Sequence, residues 1–264
     1  MTVSIVAVGT GVGAERGLAS TVVRAVVLLP TFNEAENVEL MLRALREHTP
    51  DVEVVVLDDA SPDGTGAIAD RVAAEIGNVL VLHRAGKSGL GAAYRDGFAL
   101  AIERGADVVV TMDCDFSHDP AVVQTLVSLV EQGADVAIGS RYVRGGGTID
   151  WPVRRQLLSK WGNRYTGVML RTGIHDCTSG FRAYRAAALA AINPSTTTAE
   201  GYAFLTELVR RLARARATMV ETPIIFRDRE RGVSKMSGRI ILESMLFVTS
   251  CGIADRWAAL RRRS

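Results

Sequence analysis

The sequence predicts an α/β fold: a mostly parallel, Rossmann-like sheet with helices on both faces. Two observations carry this. Short runs rich in β-branched residues recur from Arg24 onward, and longer stretches with apolar residues at helical spacing separate them. Strand, helix and strand in repetition give parallel strands joined by crossover helices.

Residues 25–29, 52–57, 79–82, 107–112 and 134–138 are continuous apolar runs bounded by Pro, Gly or Asp, the pattern of strands buried on both faces. Helices are expected at 34–48, 65–76, 91–104 and 120–131. In the second of these, Ile68, Val72 and Ile76 form one face. After Gly139 the alternation breaks. Three glycines (Gly145, Gly146, Gly147) lead to a helix near 153–170. A loop around 176–181 follows, then helices near 185–192 and 200–215 and a strand over 219–226. Residues 240–260 carry Ile241, Met245, Val248, Ile253, Trp257 and Leu260 ahead of three arginines. That helix is expected either to lie in a membrane interface or to pack on the protein's own core. No repeat or low-complexity linker divides the chain. The expected organisation is an N-terminal extension (1–23, read as flexible), one α/β domain (24–236) and a C-terminal amphipathic helix (237–264).

Composition narrows the function classes. A chain of 264 residues buries about three quarters of its unfolded surface and folds without disulfide or zinc staples. Apolar residues make up 48% and charged residues 23%, the mix of a folded domain. Cys114, Cys177 and Cys251 are odd in number and form no CxxC pair, which argues against a thiolate zinc site and suits a reducing compartment. A net charge of +2 argues against nucleic acid as a partner. No apolar run reaches the ~18–20 residues of a bilayer span, and no signal peptide is evident, so the expected place is cytoplasmic. Gly9-Thr10-Gly11-Val12-Gly13-Ala14 fits a dinucleotide fingerprint, but residues 15–21, broken by Gly17, are too short for the crossover helix that such a site needs.

Candidate chemistry gathers at the strand ends, where open parallel sheets bind ligands. The first strand runs into Pro30-Thr31-Phe32-Asn33-Glu34, the second into Asp58-Asp59, the fourth into Asp113-Cys114-Asp115. In extended backbone Asp113 and Asp115 project to one face, with Cys114 pointing away. Carboxylates held that close favour a cation between them, and hard ions such as Mg2+ or Mn2+ take oxygen ligands and share them with phosphates. Some residues here have structural work: Asp119 can cap the helix that begins at Pro120, and Thr65 can cap the helix at 65–76. Asp58 and Asp59 remain, one of them available to a ribose hydroxyl. Arg141, Arg144, Arg154, Arg155 and Lys160 crowd the segment after the fifth strand, as a rim of positive charge beside the acids or as a solvated face.

In that order, Pro30–Glu34, the Asp59 loop, Gly89-Leu90-Gly91-Ala92-Ala93-Tyr94, Asp113-Cys114-Asp115 and Gly139-Ser140-Arg141-Tyr142 resemble the family 2 inverting glycosyltransferases of the GT-A fold. Trp151 with Arg154-Arg155, Thr178-Ser179-Gly180-Phe181-Arg182, Gly201-Tyr202, and Asp228-Arg229 ahead of Gly232-Val233-Ser234-Lys235 resemble its dolichol- and polyprenol-phosphate mannose synthases. The resemblance spans residues 24–235. It implies that Pro30, Phe32 and Glu34 hold the nucleotide base (Tyr is common where Phe32 stands) and that Leu57 and Asp59 meet base and ribose. Asp113, Cys114 and Asp115 would line the sugar diphosphate, with both acids on Mg2+ or Mn2+. Ser117 stands where some relatives have a Gln metal ligand, and Ala is commoner at Cys114. Arg141, Arg229 and Lys235 would contact phosphates, with Arg155 and Ser159 joining Arg141 at the acceptor.

The implied partners are GDP-mannose, a polyprenyl phosphate and the membrane surface, with a separate membrane-anchoring subunit as in other spanless relatives. An acceptor that is already an anionic phosphate needs orientation and no general base, and arginine forks grip its oxygens. His83, His118 and His175 accordingly show no catalytic spacing. Two alternatives stay open on sequence: a glucosyltransferase using UDP-glucose, and a non-catalytic nucleotide-sugar-binding module.

Overall fold

A computed structural model describes residues 23–228 and 238–261. The elements are β1 (Ala25–Thr31), α1 (Val38–His48), β2 (Glu53–Asp58), α2 (Thr65–Ile76), β3 (Val79–His83), α3 (Leu90–Glu103), β4 (Val108–Thr111), α4 (Val123–Glu131), β5 (Val136–Ser140), β6 (Gly147–Ile149), α5 (Val153–Leu170), β7 (Arg182–Arg185), α6 (Ala186–Ala191), α7 (Gly201–Arg214), β8 (Met219–Pro223), β9 (Ile225–Arg227) and α8 (Gly238–Arg261). Residues 1–22 of the expected extension (1–23) lie outside the described residues, as do Arg229 and Lys235.

Among the described residues, seven strands form one sheet in the order β3-β2-β1-β4-β7-β5-β8, and β6 pairs with β9. β1 runs parallel to β2 and β4, β2 to β3, and β5 to β8. The expected parallel sheet is present with one reversed strand: β7 is antiparallel to both β4 and β5. Alternation along the strands supplies two cores. Val27, Leu29, Val54 and Val56 pack with Met41, Leu45 and Leu126 on one face. Val26, Leu28, Val55 and Leu57 pack with Phe98, Phe204 and Leu208 on the other. Each of these aliphatic side chains is nearly or wholly buried, stabilising the fold by about 1.5–3 kcal/mol before entropy is counted.

Several local expectations change. The first helix begins at Val38, because Asn37 and Val38 donate their N–H groups to Glu34 O in a turn, and Asn33 takes φ 59°. Asp119 caps the segment after Pro120 as expected, accepting from Ala121 N at 2.9 Å. Thr65 is not the cap of α2. Asp63 accepts from Thr65 N at 3.1 Å, while Thr65 Oγ1 accepts from Glu34 N at 2.9 Å and ties α2 to the loop after β1. The strand expected over 219–226 is two, β8 in the main sheet and β9 with β6, divided after Pro223, which has no N–H to continue a ladder.

Of the two expectations for the last helix, packing on the protein's own core describes one face. One face of α8 docks on α5 and α7: Arg210 binds Asp255 (2.8 and 2.5 Å), Tyr165 Oη meets Thr249 Oγ1 (2.7 Å) and Arg256 donates to Met169 O (3.2 Å). Away from these contacts, Leu246, Ile253, Trp257 and Leu260 are exposed, and α5 exposes Val153, Leu157, Leu158, Trp161 and Val168. Among the described residues no helix is long and apolar enough to cross a membrane.

Candidate active site

The carboxyl ends of β1, β2 and β4 open into a cavity of about 500 Å3 lined by Pro30, Phe32, Glu34, Asp59, Asp113, Cys114 and Asp115. Seven of the sequence-derived candidates therefore share one chamber. Lys87 lies across it with its ammonium 3.9 Å from the Phe32 ring centroid. The far wall comes from α7 (Gly201, Ala203) and α8 (Glu243, Ser244, Phe247). Leu57 is a correction: its side chain is wholly buried, packed where a Cβ on Gly97 of α3 would stand 2.8 Å away, so it belongs to the core. The two acids after β2 divide their work. Asp58 is buried and accepts from Thr31 Oγ1 (3.0 Å) and Ser61 N (3.1 Å), so it shapes the turn. Asp59 faces the cavity, pairs with Arg84 and accepts from Ser88 N and Gly89 N at 3.3 Å.

Asp113 follows β4 with its side chain 39% exposed, while Asp115 is largely buried and accepts from Ser117 N at 3.0 Å. Cys114 borders the chamber, but its side chain packs into the core, in keeping with the expected alternation, and burial holds its thiol protonated. His118 lies beneath the acids. Its Nδ1 accepts from Asp113 N at 3.3 Å, and its ring stacks on Phe181 at 4.9 Å and meets Phe226 edge-on at 5.4 Å. Burial pushes its pKa down to about 4, against the opposing charge of Asp115, so the ring is neutral and supports loop geometry. Among the described residues no cluster of three His, Cys, Asp or Glu could hold a metal ion. Two oxygen donors opening on a cavity nevertheless fit a hard cation, which ordinarily completes its shell with substrate phosphates and water.

Beyond Phe226 lies the basic cluster. Arg141 is 8% exposed and donates through Nε and Nη2 to Asp176 (2.7 and 2.6 Å) and through Nη2 to Thr178 Oγ1 (2.8 Å). Burial alone would raise the Asp176 carboxyl, but the Arg141 guanidinium overrides it and holds the carboxyl below its ordinary range. Arg155 donates to Asp228 at 2.8 Å and lies 3.9 Å over the Trp151 ring. Ser159 Oγ accepts from Tyr142 Oη at 2.5 Å, and Arg141 stands 5.2 Å from that tyrosine ring. The three acceptor-phosphate candidates thus meet around Tyr142 and Trp151. Arg154 and Lys160 point to solvent, so only part of the charge run belongs to the cluster. A tight turn holds it: a Cβ on Gly146 would strike the Ser140 carbonyl oxygen. Gly146→Ala is expected to displace the segment carrying Arg141 and destabilise the protein by about 1–3 kcal/mol, read as a fall in thermal midpoint.

Residues 26–192 match the family model described as Glycosyl transferase family 2. The chain belongs to glycosyl transferase family 2. This glycosyltransferase is 46% identical over 247 residues to "Polyprenol monophosphomannose synthase" of Mycolicibacterium smegmatis, covering 93% of each chain. It is 47% identical over 240 residues to "Undecaprenyl-phosphate mannosyltransferase" of Micrococcus luteus, covering 91% of this chain and 98% of that one. Among solved structures, glucosyl-3-phosphoglycerate synthase from Mycobacterium tuberculosis in complex with Mn2+, UDP and phosphoglyceric acid matches with a TM-score of 0.67 and 20% identity, over 87% of this chain and 78% of that one. Mannosyl-3-phosphoglycerate synthase from Rubrobacter xylanophilus matches with a TM-score of 0.64 and 17% identity, over 87% and 73%. At such identities the likeness is one of fold.

Sequence reasoning missed several residues of the glycosyltransferase site. Lys87 follows β3, a strand with no acidic end to draw notice. Asp176, which clamps Arg141, sits in a segment read only as loop. The α7 and α8 wall comes from helices remote in sequence; Gly201-Tyr202 marked the start of α7 as a motif, but nothing in α8 signalled Glu243, Ser244 or Phe247.

Proposed function

We propose that this glycosyltransferase moves mannose from GDP-mannose to the phosphate of a polyprenol, with inversion, while lying on the cytoplasmic face of a membrane. The observation that carries the proposal is the adjacency of a carboxylate-lined cavity, suited to a nucleotide sugar, and an arginine cluster joined to it through His118 and Phe226. The names of the two bacterial relatives support the acceptor class and the sugar.

In this reading Phe32 and Glu34 hold the base, Asp59 the ribose, and Asp113 and Asp115 the divalent ion. Mg2+ or Mn2+, when bound, offsets the charge that grows on the departing diphosphate. Arg141 and Arg155 hold the acceptor phosphate with Ser159 beside them, and Arg229 and Lys235 contact phosphates from the segment after Asp228. The phosphate oxygen is already anionic, so these residues orient it for attack from the face opposite the leaving group, and no base is required. The exposed apolar residues of α5 and α8, interspersed with Arg154, Lys160 and Arg164, suit two helices lying at a lipid surface that carries the acceptor.

Incubation with labelled GDP-mannose, undecaprenyl phosphate and Mg2+ or Mn2+, followed by organic extraction, is expected to move the label into the organic phase. Labelled UDP-glucose is expected to stay in the aqueous phase. Transfer from UDP-glucose instead would overturn the sugar assignment, and no transfer from either would overturn the reaction.

A further inference from the structure

Trp151 holds a buried donor with nothing to donate to. The residue is 8% exposed, its Nε1 is shut off from solvent, and no hydrogen-bond partner for it exists among the described residues. Buried indole N–H groups ordinarily find an acceptor, and a phenylalanine would fill the space without leaving a polar group stranded. The ring is therefore better explained by what lies on it. Arg155 sits 3.9 Å over the indole and Arg141 5.6 Å from it, while Phe226 closes the assembly edge-on at 5.4 Å from Trp151 and 5.4 Å from the Arg141 guanidinium. Each arginine has its own carboxylate, Asp228 for Arg155 and Asp176 for Arg141. The indole is the element the two cations share, and tryptophan gives the strongest attraction to a guanidinium of any aromatic side chain.

We propose that Trp151 is a positioning residue for the acceptor: its indole face fixes Arg141 and Arg155 as a spaced pair of guanidinium groups that together grip one phosphate. The inference rests on the reading that these arginines hold the polyprenyl phosphate. Packing alone would make Trp151 indifferent to Arg155, whereas positioning makes the two residues act through one another. Trp151 also fixes the start of α5, the helix that brings Arg155 and Ser159 inward, by accepting from Gln156 Nε2 through its carbonyl at 2.9 Å; that contact survives any side-chain change.

The test is steady-state kinetics on the full chain with undecaprenyl phosphate and GDP-mannose, each varied in turn. Trp151→Leu is expected to raise the KM for undecaprenyl phosphate about tenfold with the GDP-mannose KM unchanged. Trp151→Phe, which keeps a ring and removes the stranded N–H, is expected to raise it only about two- to threefold and to guard against a folding failure of the leucine variant. In an Arg155→Ala background, Trp151→Leu should add less than about twofold. If Trp151→Leu multiplies fully with Arg155→Ala, or raises both KM values alike, Trp151 is packing and the inference falls. If Arg155→Ala raises the acceptor KM while both Trp151 variants leave it unchanged, the inference falls and the acceptor reading stands. If Arg155→Ala itself leaves the acceptor KM unchanged, the acceptor reading fails first.

Discussion

Asp115→Asn is expected to lower sugar transfer about a thousandfold or more at saturating Mg2+ or Mn2+, equivalent to ~4 kcal/mol or more of lost transition-state stabilisation. The asparagine keeps an oxygen to accept from Ser117 N, a bond of 3.0 Å in the native loop, so the turn beneath the cavity survives and only the charge is lost. Thermal midpoints of the two proteins should agree within a few degrees. Asp113→Asn is expected to match it in rate, since both carboxylates open on the same chamber. A variant that keeps its rate would remove Asp115 from the metal site, and one that unfolds would show that the buried carboxylate is structural.

Arg141→Ala is the second large effect, and it combines two losses. Asp176 is completely buried, and removing the guanidinium leaves a carboxylate enclosed without its main partner. Breaking such a pair costs about 3–5 kcal/mol, a fall in thermal midpoint on the order of 10 °C for a domain of this size. Replacing both members, as Arg141→Met with Asp176→Leu, should recover most of the stability because no charge remains buried. Transfer should stay abolished in that double variant. Recovery of activity along with stability would show that Arg141 serves only the fold. The pair also sets a pH limit. The Asp176 carboxyl is depressed in the folded state, so its stabilisation is full above the ordinary carboxylate range and is lost as pH falls through and below it. The stability lost on removing Arg141 should therefore be greatest near neutral pH and shrink as the pH falls through the carboxylate range.

The sheet was legible where burial leaves a plain trace. β1, β2 and β4 are hydrophobic on both faces, so their runs of Val and Leu stand out against the turns that bound them. β7 was not legible because it reads Arg-Ala-Tyr-Arg and yet occupies the middle of the sheet. Arg182 is fully buried there, its guanidinium donating to Cys177 O (2.7 Å) and Leu205 O (2.9 Å). A charged residue held by backbone carbonyls looks, in a sequence, like one bound for solvent. The site divides in the same manner. Acids at strand ends declare themselves, because their position follows from strand direction. The clamp of Asp176 on Arg141 arises from loop packing across 35 positions, and no local pattern encodes it. Leu57 erred in the opposite direction: it stands inside β2, where every residue is buried, whereas the cavity-lining Asp59 lies just past the strand's end.

Helix α8 joins two surfaces that experiments would prefer to treat apart. Glu243, Ser244 and Phe247 form one wall of the carboxylate-lined cavity, and a few turns onward Trp257 and Leu260 stand bare on the helix's outer side. Removing the whole helix to obtain a better-behaved protein would unroof that cavity in the same stroke, so a shortened enzyme that ceased to work would say nothing about lipid attachment. Serines placed at Trp257 and Leu260 alone leave that roof standing, and if those side chains meet lipid they are expected to weaken vesicle binding without loss of transfer to a soluble acceptor.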